Sequence, residues 1–176
     1  MKLKSAMILA LAVLAGCKED IANAQLPAAQ SLTQEAAGFY CQMEILEHPG
    51  PKAQVHLAGM QAPLWFSQVR DGLAYVKSAE QSGEILVLYV NDMGAAVSWS
   101  EPGVDNWIKA DGAFYVVGSN AAGGMGAPEL VPFADRQAAD KFIAVHSGEI
   151  LQFSDIPIEM VLSPVTFTTS QLEARQ

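Results

Sequence analysis

The sequence predicts an α+β domain built from two related halves packed against each other. Three observations lead there. The pentapeptide "SGEIL" occurs twice, at 82–86 and 147–151. Each copy follows a helical pattern entered from a Phe-containing stretch: "WFSQVRDGLAYV" before the first, "PFADRQAADKFIAV" before the second. Phe66 stands 16 residues ahead of Ser82 and Phe133 stands 14 ahead of Ser147, so the order of elements repeats along with the words. A strand–helix–strand unit alone leaves its apolar face bare, and two copies are expected to cover each other.

The elements follow from hydrophobic periodicity. "FYCQMEIL" and "KAQVHLA" alternate apolar with polar and are predicted as strands. "PLWFSQVRDGLAYVKSA" begins like a strand and then turns helical, with Val69, Leu73 and Val76 on one face. "EILVLYVND" is a continuous apolar run of the kind that forms a buried strand. "GAAVSWSEP" and "AFYVVGS" read as two more strands, and "NAAGGMGAPELVPF", rich in Gly and Pro, reads as a loop. "ADRQAADKFIAVHSG" is the strongest helix: Asp135 can cap its start, Ala139, Phe142, Ile143 and His146 share a face, and Gly148 can end it. "EILQFSDI" closes as a strand. The domain is expected over 39–160, with repeats at about 39–95 and 110–157, and the chain after Pro157, including 161–176, as a loosely ordered tail.

The first residues have a different character. "MKLK" is basic, and "SAMILALAVLAG" is apolar or small but shorter than the roughly 20 residues of a membrane span. This describes an export signal over 1–16. Its exit, "LAGC", resembles a bacterial lipobox, in which Cys17 is lipidated and becomes the first residue of the mature chain. An ordinary signal cut further along, near "IANA", is the alternative. Residues 17–38, polar and rich in Ala and Gln, read as a tether with a helical turn in "SLTQEAAG". Removal of Lys2 and Lys4 takes the formal charge from −9 to −11. Such acidity argues against nucleic acid and against a basic membrane patch, leaving a lipid anchor as the expected membrane contact. Lys18 lacks the aspartate commonly linked with inner-membrane retention, which points to the outer membrane, facing the periplasm.

With Cys17 lipidated, Cys41 is the one remaining thiol, and no intramolecular disulfide can form. On a strand, Cys41 and Met43 would project from the same face. Thiolate beside thioether is a soft donor pair that suits Cu(I) better than oxygen-seeking cations. Zinc fits less well with one cysteine. His48, His56, His146, Met93 and Met125 are candidates for further ligands, and Met125 stands out as a large apolar side chain among glycines. Plain core packing of the two sulfurs is the competing reading.

Read in order, "CQMEILEHPGPKAQ", "VRDGLAY", "LYVNDMG", "WIKADGAFYVVGS", "GGMGAPELVPFADRQAADKF" and "GEILQF" resemble the NosL family of copper-binding accessory lipoproteins of nitrous oxide reductase assembly. The resemblance implies Cu(I) as the bound ion and delivery to nitrous oxide reductase through membrane-linked maturation machinery. It implies a fold of two ββα-type, treble-clef-like halves similar to organomercurial lyases. Cys41 and Met43 match the family's C-x-M pair, Met125 its M-G loop and Met93 its D-M-G turn; Gln42 stands where the family often has glycine. Two other functions remain in play. One is a thiol-dependent enzyme, although an organomercurial lyase needs a pair of thiols near an acid. The other is a docking lipoprotein with both sulfurs in its core.

Overall fold

The computed structural model describes residues 26–165. The expected signal, Cys17 and the end of the tail lie outside the described residues. Two antiparallel sheets dominate. The first has the order β2-β1-β3-β4, from β1 (Ala53–Leu57), β2 (Leu64–Phe66), β3 (Ile85–Asn91) and β4 (Trp107–Lys109); the second has the order β6-β5-β7, from β5 (Phe114–Val117), β6 (Val131–Phe133) and β7 (Glu149–Gln152). Helix α1 (Val69–Lys77) joins β2 to β3, and α2 (Arg136–His146) joins β6 to β7.

The duplication read from "SGEIL" is therefore present in the topology. Each unit runs strand, strand, helix, strand, and in each the first strand is central, flanked by the second and third. The two units share a core. Ala53, Val55, Leu57, Leu88 and Val90 of the first sheet pack with Val69, Leu73 and Tyr75 of α1, and Tyr115, Val117 and Leu130 of the second unit join them. The opposite face of β5 and β6 carries Val116, Val131 and Phe133 against Ala139, Phe142 and Ile143 of α2. Alternation along β5 thus puts one face on each core.

The two helices are capped differently. Asp135 accepts from the Gln137 N–H at 3.2 Å, as its position predicts. Helix α1 starts after Gln68, which makes no such bond. Its open N–H groups go instead to Glu129 of the second unit, whose carboxylate accepts from Val69 N at 3.1 Å, Arg70 N at 2.9 Å and Leu130 N at 2.9 Å. Glu129 is buried, and burial pushes its carboxyl up to about 8 despite these three donors.

Five expectations change, the first being that "NAAGGMGAPELVPF", read as a loop, ends in strand β6, whose residues are fixed by pairing with β5. "FYCQMEIL" is a turn followed by a short 3-10 helix (Ile45–Glu47): Gln42 takes a left-handed conformation, φ 56°, and the stretch meets the edge of β2 at Trp65 without running along it. "GAAVSWSEP" is turns and bends, and the strand falls later, at β4. The segment from 26 to 38 is docked: Gln30 exchanges hydrogen bonds with the Gln54 amide, and Leu32 and Ala36 are buried beside Ile45. The expected tail contributes a third helix, α3 (Ile158–Leu162), with Val161 in the shared core. Arg70 fixes it by donating to the carbonyls of Met160 and Ser163, both at 2.7 Å.

Glu129 carries a pH signature. Its folded value lies above its ordinary 4.5, so the folded chain binds more protons than the unfolded one between those limits. Its contribution is complete below about 4.5 and is lost as pH rises through about 8. Glu129→Gln should remove that loss, so the stability difference between variant and parent in urea titrations should change steadily across this window and level off outside it.

Candidate metal centre

Three segments converge on the residues that lead into α1. The first is the turn 37–44. Phe39 N donates to Trp65 O at 2.7 Å, which hangs the turn on β2. Gly38 N donates to Met43 O at 2.9 Å and Gln42 N returns to Gly38 O at 2.8 Å. A side chain at Gly38 would collide with the Cys41 sulfur, so glycine there leaves the thiol its present position. Cys41 Sγ lies 3.9 Å from Ser67 Oγ, one residue before the α1 cap, and is half-buried. Met43 is 42% exposed.

Gln42 separates the two sulfur residues, and its positive φ is strained for anything but glycine. Its amide compensates by donating to Phe39 O at 2.7 Å. The position is one where glycine fits without cost, whereas a strand would have placed no such demand.

The second segment is the "HPGP" turn. His48 Nδ1 faces Gly124 O at 3.3 Å. A carbonyl accepts, so Nδ1 carries the proton and Nε2 holds a bare lone pair. That Nε2 is buried without a hydrogen-bond partner. Lys52 braces the turn by donating from Nζ to the carbonyls of His48, at 2.7 Å, and Gly50. Burial pushes its ammonium down to about 8, against the pull of Glu129.

The third segment is the glycine-rich loop, which closes as a narrow hairpin. Glu129 N donates to Ala121 O, Gly123 N to Ala127 O, and Gly126 N to Gly123 O. Gly124, Met125 and Gly126 form its tip. Met125 N donates to Gln68 Oε1 at 3.2 Å, and its side chain is 37% exposed. A Cβ on Gly124 would sit 2.6 Å from His48 Cβ and 2.9 Å from Ser67 O, so only glycine lets this tip approach.

The structure therefore brings Cys41, His48 and Met125 to one region, around Ser67 and Gln68, with Met43 exposed on the same turn as Cys41. The other candidates lie elsewhere. His56 is on the face of β1 turned from α1, with Nε2 paired to Gln54 Oε1 at 2.8 Å and its ring edge-on to Tyr89. Burial pushes its pKa down. Met93 and His146 line a separate hollow with Trp99 and Phe142. Ser67, Gln68 and Glu129 were not singled out from sequence. Of these only Glu129 left a trace, as an acid beside the apolar run "LVPF".

Among the described residues, no three of His, Cys, Asp and Glu group as a metal site. The candidate donors near the α1 entrance are instead thiol and thioether, with the His48 ring held nearby at Gly124. That set is poor for hard cations and for four-coordinate zinc, and it fits a soft monovalent ion.

The NosL family profile matches residues 29–161. The chain belongs to the NosL family. Copper-binding lipoprotein NosL of Achromobacter cycloclastes is 57% identical over 157 residues, covering 89% of this chain and 80% of the relative. Copper-binding lipoprotein NosL of Stutzerimonas stutzeri is 35% identical over 146 residues, covering 81% and 73%. The crystal structure of the copper chaperone NosL from Shewanella denitrificans superposes with a TM-score of 0.68 at 29% identity, over 73% of this chain and 95% of that one. Membership accounts for the order of motifs along the chain, and the NosL match begins at 29, where the docked N-terminal segment is already packed.

Gly124→Ala tests the approach of the hairpin tip. The added methyl meets backbone at Ser67 and the root of His48, so it should destabilise the protein by about 1–3 kcal/mol in urea unfolding. Met125 should move away from Gln68 at the same time, visible as an amide shift of Met125 in NMR spectra.

Proposed function

We propose that this chain is a lipid-anchored copper metallochaperone that carries Cu(I) at Cys41, Met43 and Met125 and delivers it for assembly of the copper sites of nitrous oxide reductase. The observation that carries the reading is the convergence of the sulfur turn and the Met125 hairpin on Ser67–Gln68. The names of the NosL relatives support copper as the cargo.

The chemistry follows from the donors. Cys41 binds as thiolate, so loading releases its proton and places one negative charge against one positive ion. Met43 and Met125 add neutral thioethers. His48, with Nε2 bare and its other nitrogen held by Gly124, is the histidine best placed to add a fourth donor. Exposure of Met43 and Met125 suits transfer, because an incoming ligand can reach the ion before the outgoing ones release it. We take the chain as a carrier rather than a catalyst: Cys41 is the free thiol of the described residues, and a lyase would need a second. We also read the two strand–strand–helix–strand units as treble-clef-like halves of the organomercurial lyase kind.

Export and anchoring complete the reading. Cys17 is the lipid attachment, and Lys18 favours the outer membrane, with the domain facing the periplasm. The acceptor is membrane-linked maturation machinery.

The test is anaerobic Cu(I) titration against a chromogenic chelator, with the full chain in detergent. Losing a residue that merely orients a ligand costs about 10–100-fold in affinity, and losing a ligand costs at least that. Cys41→Ala and Met43→Ala should each weaken binding by that much or more, and Met125→Ala by about tenfold or more. Unchanged stoichiometry and affinity in Cys41→Ala and Met43→Ala would sink the proposal.

A further inference from the structure

Met93 and His146 were expected to compete for a place at the Cys41 centre. The structure puts them together in a hollow of about 480 Å³ that includes none of Cys41, Met43 and Met125. Its walls come from Met93, Ala96, Ser98 and Trp99, from residues 120–122, and from Phe142 and His146 of α2. A second hollow, of about 380 Å³, adjoins it and shares Met93, Phe142 and His146.

The imidazole is oriented in two ways. Its Nδ1 lies 2.9 Å from Asn120 Oδ1, an acceptor, so the proton sits on Nδ1 and Nε2 keeps its lone pair. Such a bond to the remote nitrogen is the usual device for orienting a metal-binding histidine. The ring also stacks on Phe142, with centroids 4.3 Å apart and planes 24° apart, which fixes its tilt. Trp99 stacks on the same Phe142 at 6.4 Å and 22°. Met93 is anchored by its own N–H, which donates to Pro132 O at 2.9 Å.

We infer that this hollow is a second Cu(I) site, with Met93 Sδ and His146 Nε2 as its donors and the Trp99 ring as its aromatic wall. No carboxylate lines the hollow, so it offers nothing to calcium, magnesium or manganese. Zinc would find one nitrogen where it wants four good donors. Cu(I) accepts two soft ligands, and an aromatic face attracts a cation that has shed its water. With no thiolate, the site binds more weakly than the Cys41 centre and without releasing a proton from its ligands, the behaviour of a holding position rather than a store. The inference shares with the proposed function only the identity of the ion.

The experiment uses the full chain in detergent, loaded anaerobically with Cu(I) and followed by chelator competition and tryptophan emission. In a Cys41→Ala, Met43→Ala, Met125→Ala background the protein should still retain one equivalent of Cu(I). Emission should be quenched in step with that equivalent, and the quenching should vanish with Trp99→Phe. Adding Met93→Leu or His146→Gln to that background should weaken retention at least tenfold. Placed in the parent chain, the same two changes should remove one of two equivalents and leave the tighter one in place. A triple variant that retains no Cu(I), or retention indifferent to both Met93→Leu and His146→Gln, overturns the inference. Failure of the proposed function would show separately, as parent affinity indifferent to Cys41→Ala.

Discussion

The carboxylate of Glu129, buried against the first turn of α1, is the contact on which the geometry of the sulfur centre depends. A helix begins with N–H groups that have no partner within it. In the second unit Asp135 meets this need locally, but in the first unit Gln68 does not. The partner comes from the other half of the molecule, at the foot of the glycine hairpin. One interaction thereby caps a helix, joins the two repeats and sets the hairpin tip beside Ser67 and Gln68. The repeats share a topology, and the difference between their caps is what draws the Met125 hairpin to the first of them.

The centre is assembled from turns rather than from the sheets. Cys41, His48 and Met125 each sit in a segment whose shape is held by backbone hydrogen bonds and glycines, while the rigid elements supply the place where those segments meet. The sheets have no room for such donors: the inward residues of β1 and β5 are fully packed, and the polar face of β1 is consumed by Gln54, His56 and Tyr89. Exposed turns backed by a buried cap combine accessibility with fixed position.

Much of this was legible in the sequence, and the misses share a cause. Helices α1 and α2 were readable from periodicity and from Asp135, and the repeated order of elements from "SGEIL", because these signals are local; α3 was not, since its five residues are held by Arg70 and the shared core. The alternation in "FYCQMEIL" was misleading because eight residues can alternate in a turn as readily as in a strand. What decides is tertiary context: Gln42 turns left-handed, and the stretch touches the outer edge of β2 at Trp65 instead of running along it. Strand β4 was missed because its three residues are fixed by pairing with β3, a contact that sequence does not announce. The sulfur residues could be named from their chemistry and from the family motifs. Their separation from Met93 and His146 could not, since it arises from two loops meeting one helix entrance and a different helix ending beside Trp99.

The docked segment ahead of the domain sets a distance. From Cys17 to Gly38, an unattached chain would extend about 70 Å at most, but residues from about 26 onward are held against the first sheet. With the lipid of the proposed function at Cys17, the nine residues to Leu26 could span about 30 Å at most. That is about the thickness of a bilayer's hydrocarbon core. Under the proposed function, that reach would confine Cys41 and its neighbours to a thin layer beside the membrane that holds the anchor, and any acceptor would have to come within that layer.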